Sequence, residues 1–419
     1  MFLIQNKAVP ITETVQQNST SQSTQTMAEP EKKEYKIAWE FPIVLFETNK
    51  FEVVDEDGLK YITFSQGENQ GISIMPIPPG KSLIPGKDTI KVKGQVKSDL
   101  NHSNGTILFI AGDFNSSIIA LDGKKRTVVW NKRGPYYFLA TTDSDVIAVT
   151  DKEVSMFSVI DGSEKWKYQI TNVTFKPVIF NGIVYLGTKN KFLYGLDLKS
   201  GKERFKIIYN DIGLVAQNDD SNLYVCGSNF LQKIDLQTQK ILWNKGVRYD
   251  DDDKRDVGCS SFLFGPSISL DVENVYLADG LGSLVAFDKK TGTKKWSLIN
   301  NLGLRKQEFF GSVSAKDNVV YTGSDKGLQG IDPKNGNVLW SLYIENAPTG
   351  LLIRDGIIYF GTSAGDFYGY AISTREKVFE HIIQKETGIS KPIENTPLSV
   401  GNMVYFGGKE GVLYALEIK

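Results

Sequence analysis

The feature that most constrains this 419-residue chain is a phrase that it repeats. Residues Val275–Trp296 read VYLADGLGSLVAFDKKTGTKKW. An alternating apolar run turns at Gly280–Gly282, alternates again through Leu284–Phe287, turns at Asp288 and Thr291–Gly292, and ends on Trp296. Period-two alternation bounded by Gly, Asp and Asn signals half-buried antiparallel strands. So short a segment cannot bury its apolar face alone and has to stack on copies of itself. The copies are Ile107–Trp130, Val184–Phe205, Leu223–Trp243, Val320–Trp340 and Ile358–Phe379, with a looser one at Val146–Trp166 and a truncated one at Val404–Lys419. A repeat of about 40 residues implies a solenoid or a propeller, and strand-type copies select the propeller.

The aromatic residues set the blade count. Five of the six tryptophans (Trp130, Trp166, Trp243, Trp296, Trp340) close a repeat, and Phe205 and Phe379 fill the same slot in two others. The last copy stops before its aromatic strand, while Trp39 sits near the start in YKIAWEF. The expected fold is therefore all-β: an eight-bladed propeller of four-stranded antiparallel blades, closed by pairing of Tyr35–Phe41 with the C-terminal blade. Such pairing removes exposed edges. The propeller takes up residues 35–419. Residues 1–34, rich in Ser, Thr and Gln, read as a disordered tail. Residues 44–97 lack a closing Trp and read as an irregular insertion, with a degenerate extra blade as the alternative.

The pattern Ala/Gly-x-Asp-x-x-(Thr/Ser/Asn)-Gly-x-x-x-Trp, as in Ala286–Trp296 and Gly330–Trp340, resembles the repeat of pyrroloquinoline-quinone-type (PQQ-like) propellers. That family holds quinoprotein dehydrogenases and the BamB-type lipoprotein that helps assemble outer-membrane proteins. The turn aspartate (Asp122, Asp197, Asp235, Asp288, Asp332) precedes the closing aromatic by eight residues in five blades. It is placed to cap turn N–H groups, with Gly supplying a positive φ and the indole packing between blades.

Composition excludes some classes. With 48 basic and 49 acidic residues, the chain lacks the excess expected of a nucleic-acid binder. No apolar run reaches a membrane span, and no export signal is visible at Met1–Ile4. The resemblance nevertheless implies an extracytoplasmic setting, in periplasm or at the cell surface. Cys226 and Cys259 read as two free thiols, with a disulfide between them as the alternative, and His102 and His381 as solvated loop residues. The resemblance implies that quinoprotein enzymes use adjacent cysteines, a stacking Trp, a catalytic Asp and Ca²⁺. This chain has no adjacent cysteines, and its tryptophans are taken by blade closure, so no catalytic residue, cofactor or metal site is expected.

The longest connections follow outer strands, and in an up-down blade these share one face with the second-to-third turns. That face is the candidate binding surface. Its candidate partner-binding loop carries Asp250, Asp251, Asp252, Asp253, Lys254 and Arg255, a negative rim suited to a basic partner. The expectation is a non-catalytic scaffold that binds other proteins, with the resemblance implying a membrane-associated envelope assembly complex. The alternatives are an enzyme or sensor holding a small ligand in the central channel, and a structural subunit of a larger assembly.

Overall fold

The computed structural model describes residues 34–42, 51–56, 59–66, 71–77, 89–90, 96–98, 100–112, 116–208, 213–219, 221–227, 230–246, 268–278, 283–299, 313–324, 327–346, 348–382, 393, 396–407 and 412–418. Among them every regular element is a strand, and the strands form nine four-stranded antiparallel sheets. Eight sheets are the blades read from the repeats. Blades 1 to 7 span Asn101–Arg133, Phe138–Gln169, Val178–Ile208, Gly213–Gly246, Ile268–Ile299, Val313–Leu342 and Pro348–His381. Blade 8 combines Leu398–Val400, Met403–Gly407 and Val412–Ile418 with the N-terminal strand Tyr35–Pro42 as its outer edge. Trp39 lies opposite Ala415 and Glu40 opposite Tyr414, so the two ends of the chain share one sheet.

The ninth sheet runs Phe51–Glu56, Leu59–Gln66, Gly71–Ile77, Thr89–Ile90 in sequential order. It follows the outer strand of blade 8 in the chain, and its first strand lies beside Leu398–Val400, the innermost strand of blade 8. The stretch between the Trp39 strand and blade 1 thus has the meander of a blade without the closing aromatic.

The second strands are not half-buried as the alternation suggested. Ile183–Gly187, Asn274–Ala278 and Met403–Gly407 are buried at every position. The cause is stacking: a blade has a neighbour on both faces, so side chains pointing either way leave water. Outer strands keep the alternation, as in Thr127–Arg133.

The closing aromatics join consecutive blades. Trp130 Nε1 donates to the Val159 carbonyl of blade 2 at 2.7 Å, and Trp166 to Leu198 of blade 3 at 2.8 Å. Trp243 donates to Lys289 of blade 5 at 3.1 Å and Trp296 to Pro333 of blade 6 at 2.9 Å. Each indole lies on the next blade's turn glycine. At Gly336, with φ of 76°, a Cβ would come within 2.7 Å of the Trp296 ring. Two features in its own blade aim the ring. The residue paired with it on the third strand is small in most blades (Ala120, Gly195, Ala286, Gly330, Gly369), and a register shift follows at that point in each. Such a bulge re-aims a side chain.

Two variations show what the dock needs. Blade 7 has Arg375 where the glycine would stand, at φ of 61°, and its guanidinium lies 5.8 Å from the Trp340 ring centre. Blade 8 has no third-to-fourth turn, because its outer strand comes from the other end of the chain. There Phe379 of blade 7 meets Tyr35 instead, with ring centroids 6.1 Å apart. Both histidines also depart from the loop reading. His102 lies in the innermost strand of blade 1, and His381 ends the outer strand of blade 7 with its ring 4.6 Å from Tyr414.

Truncating Trp296 to Ala should cost about 3–5 kcal/mol, as for other buried tryptophans, measured by urea unfolding. Gly336→Ala should also destabilise, because its Cβ meets the same ring. Losses within about 0.5 kcal/mol for both would contradict the dock.

Candidate functional site

The two faces of the propeller are built differently. On one, the third-to-fourth turn of a blade donates a backbone hydrogen bond to its first-to-second turn: Gly123 to Gly105, Val159 to Ser144, Leu198 to Gly182, Leu236 to Ser221, Lys289 to Glu273 and Ile372 to Gly356. In blade 8, which lacks that turn, the last residue of the third strand makes the equivalent bond, Ile418 to Asn402. These turns are short, and Asn181–Gly182 and Asp355–Gly356 have positive φ at both residues, the hairpin geometry that suits strand twist. Blade 6 is the exception to this bonding between turns, because Pro333 stands in the donor's place and has no N–H.

The carboxylates of this turn face hold the turns themselves. Asp122 Oδ1 accepts from the N–H groups of Lys124 (2.9 Å) and Lys125 (2.7 Å), and Asp288 Oδ1 from Lys290 (3.0 Å) and Thr291 (2.8 Å). Hydrogen bonds from Ser200 and Arg204 hold Asp197 below the usual carboxylate range, those of Thr238 do so for Asp235, and those of Thr291 for Asp288. Between blades 4 and 5 the turns are joined by Lys289. Its Nζ lies 3.0 Å from Asp219 Oδ2 and donates to the Asp271 carbonyl at 2.8 Å, while its own carbonyl receives the Trp243 indole. Tyr224 and Tyr276 donate their hydroxyls to Asp219 and Asp271. Burial, and then the adjacent carboxylate, push both phenols above their ordinary range. Burial works to raise Asp219, but bonds from the Ser221 N–H, Lys289 and Asn222 outweigh it and hold that carboxyl low.

The opposite face joins second-to-third turns to the connections between blades. Gly134 donates to Ser116, Ile170 to Lys152, Lys189 to Asn172 and Ile393 to Thr362. The glycines that end second strands serve this packing: a Cβ at Gly187 would fall 2.0 Å from Phe175, and one at Gly361 2.3 Å from Ile393. This wide face is where the chain leaves Gly246, Ile299 and His381 and re-enters at Ile268, Val313 and Leu398. The proposed loop residues Asp250–Asp253, Lys254 and Arg255 fall in the first of those connections and lie outside the described residues, as do residues 1–33. The closing aromatics Trp130, Trp166, Phe205, Trp243, Trp296, Trp340 and Phe379 occupy equivalent places in blades 1 to 7, and the backbone of Trp39 takes that place in blade 8.

Among the inner strands of blades 1 to 4 lies a cleft of about 310 Å³, lined by Asn101, Thr141, Lys176, Ile179 and Asn218 among others. Lys176 Nζ donates to Asn101 Oδ1 at 3.0 Å, linking the entry to blade 3 with the first strand of blade 1. Sequence reasoning missed this pair, since neither residue belongs to the repeated phrase. Trp166, Trp243 and Trp296 are buried between blades with their N–H groups engaged. The chain's cysteines are not adjacent, and Cys226 is disulfide-bonded rather than free, which corrects the thiol reading.

The family described as "Outer membrane protein assembly factor BamB" matches residues 89–245, 212–351 and 261–419. The chain belongs to this family. No curated protein matches it. Among solved structures, BamB from Moraxella catarrhalis is similar at 12% identity over 92% of this chain and 100% of that one, with a TM-score of 0.54. The computationally designed Ika8 protein is similar at 17% identity, covering 76% and 95%, with a TM-score of 0.53. Quinohemoprotein alcohol dehydrogenase from Comamonas testosteroni is similar at 14% identity, covering 77% and 74%, with a TM-score of 0.50. These likenesses show a shared fold, which hosts both catalytic and non-catalytic proteins.

Because the turn carboxylates are held below their unfolded value of about 3.9, they stabilise the fold fully above about pH 5 and lose that contribution as pH falls through their folded values. Asp219→Asn should therefore lower the melting temperature at pH 7, and the gap from the parent protein should shrink by about pH 3. A gap that is constant across this range would contradict the linkage.

Proposed function

We propose that this protein is a non-catalytic propeller scaffold that binds other proteins through its wide face, as a subunit of a cell-envelope assembly complex. The observation that carries this reading is the asymmetry of the faces. In most blades the turns of the turn face are bonded to one another, and the outer strands end, and the next blades begin, on the other face. Loops on a rigid scaffold are where recognition concentrates. Family membership supports the envelope setting, since the family's description is of a factor in outer-membrane protein assembly. In the connection after Gly246, Asp250–Asp253 would steer a basic surface toward the face, with contacts following from adjacent loops.

The cleft beside Lys176 favours a second reading, a small ligand in the central channel. Its donors, the Lys176 ammonium and the Asn101 and Asn218 amides, suit a carboxylate-bearing molecule.

Crosslinking followed by capture from envelope extracts distinguishes the two. A variant lacking residues 248–256, which keeps Cys259, should retain the parent melting temperature and lose its captured partners. Unchanged partners with that deletion, together with loss on Lys176→Met, would overturn the wide-face reading in favour of the channel.

A further inference from the structure

The bond that ties the two turns of a blade is missing from blade 6. In blades 1 to 5 and in blade 7, an N–H of the third-to-fourth turn reaches a carbonyl of the first-to-second turn. In blade 6 the donor's place is held by Pro333, and the acceptor's place by the Asn318 carbonyl. The blade 6 turn has positive φ at both residues, 51° at Asp317 and 59° at Asn318. It therefore keeps the hairpin shape of Asn181–Gly182 and Asp355–Gly356, while its carbonyl receives no bond from Pro333.

At this point a cleft of about 360 Å³ lies between blades 5 and 6. It is lined by Val272 and Glu273 of the blade 5 turn, Asp317 and Asn318 of the blade 6 turn, and Pro333 and Lys334 beside them. Val272 is 93% exposed, the highest value among the large apolar side chains of the described residues. We infer that this cleft is a second recognition site, on the turn face, which takes a short extended segment of a partner protein carrying an apolar side chain next to a basic one. The site does not rest on the wide-face reading.

A peptide unit matches the groups on offer. Its N–H donates to the Asn318 carbonyl, and its C=O accepts from the Lys334 ammonium. An apolar side chain covers Val272 and the Pro333 ring, taking both out of water. The basic side chain meets Glu273 and Asp317. Glu273 has Lys295 at 3.6 Å, yet its side chain stays 72% exposed. Other charges at the cleft are engaged: Asp271 accepts from Tyr276 and Asn274, and Lys316 donates to the Ile353 carbonyl of blade 7 at 2.8 Å. Two carboxylates then stand against the Lys334 ammonium, which favours a cationic segment over an anionic one. The volume is at the small end of the roughly 300–1,000 Å³ of ligand pockets, which suits a few residues of extended chain.

The test uses the full-length protein and an array of acetylated, amidated hexapeptides. The protein should retain peptides that place Lys or Arg within two residues of Leu, Ile, Val or Phe, and should release their Glu counterparts. Retention without regard to charge would overturn the proposal. The best peptide, fluorescently labelled, is then titrated against variants that melt within about 2 °C of the parent. Glu273→Lys with Asp317→Lys should weaken binding at least about 10-fold, and Val272→Ser should weaken it as well. Pro333→Ala restores the N–H that closes this position in the other blades. Hydrogen exchange should show the amide at position 333 protected, and affinity should fall about 5-fold, the share of one hydrogen bond. A protected amide with unchanged affinity, or an amide that exchanges freely, would overturn the assignment of the Asn318 carbonyl. Spermidine that competes as tightly as the peptide would overturn it in favour of a plain amine site. Self-association of the parent that Val272→Ser abolishes, with no peptide retained, would overturn it in favour of a second copy of this chain. Deleting residues 248–256 should leave peptide affinity unchanged, so failure here and failure of the wide-face reading are distinguishable.

Discussion

The structure depends on an indole reaching out of one sheet to bond the backbone of the next. A single four-stranded blade buries its second strand only if sheets cover both of its faces, so no blade is stable alone. Stacking by apolar contact would leave the rotation between blades loosely set. The indole N–H bonded to a turn carbonyl, with the ring seated on a residue of positive φ, fixes that rotation through one directional bond and one steric fit. The aspartate of the same turn holds the loop in the shape that receives the ring. Blade and dock are therefore a single unit, and this is why Asp, Gly and Trp recur together at fixed spacing.

This arrangement allocates the two faces. Turns that receive indoles have to be short and internally bonded, and in blades 4 and 5 they are also tied by Lys289 to Asp219 and Asp271. The connections between blades carry no such duty, and their length varies from the brief step between Arg133 and Phe138 to the span between Gly246 and Ile268. Variation collects where the fold imposes least, which is the physical basis for looking to the wide face for recognition. The same division explains why a catalytic quinoprotein and an assembly factor can share the fold.

Much of the fold was legible in the sequence because its determinants are local and repeated. The turn aspartates, the turn glycines and the closing aromatics announce each blade, and the missing aromatic in the last copy pointed to Trp39. What the repeats hid were contacts between elements far apart in the chain. Periodicity gives the spacing of Trp296 from Asp288 but not that its N–H bonds Pro333 of the following blade. The Lys176–Asn101 pair spans 75 residues and belongs to no repeat. The disulfide at Cys226 was not the preferred reading, because pairing depends on proximity in space, which composition does not encode. Second strands looked half-buried because alternation is a signal of one packed face, and these strands have two.

The central claim is that the N-terminal strand is a working part of the last blade. Hydrogen exchange tests it directly, comparing a chain that starts at Glu34 with one that starts at Ile43. The account predicts that amides of Tyr35–Pro42 exchange as slowly as those of Val412–Ile418. Their removal should strip protection first from Val412–Ile418 and then from Lys377–His381, where Phe379 loses Tyr35. Unchanged protection in both strands would contradict it.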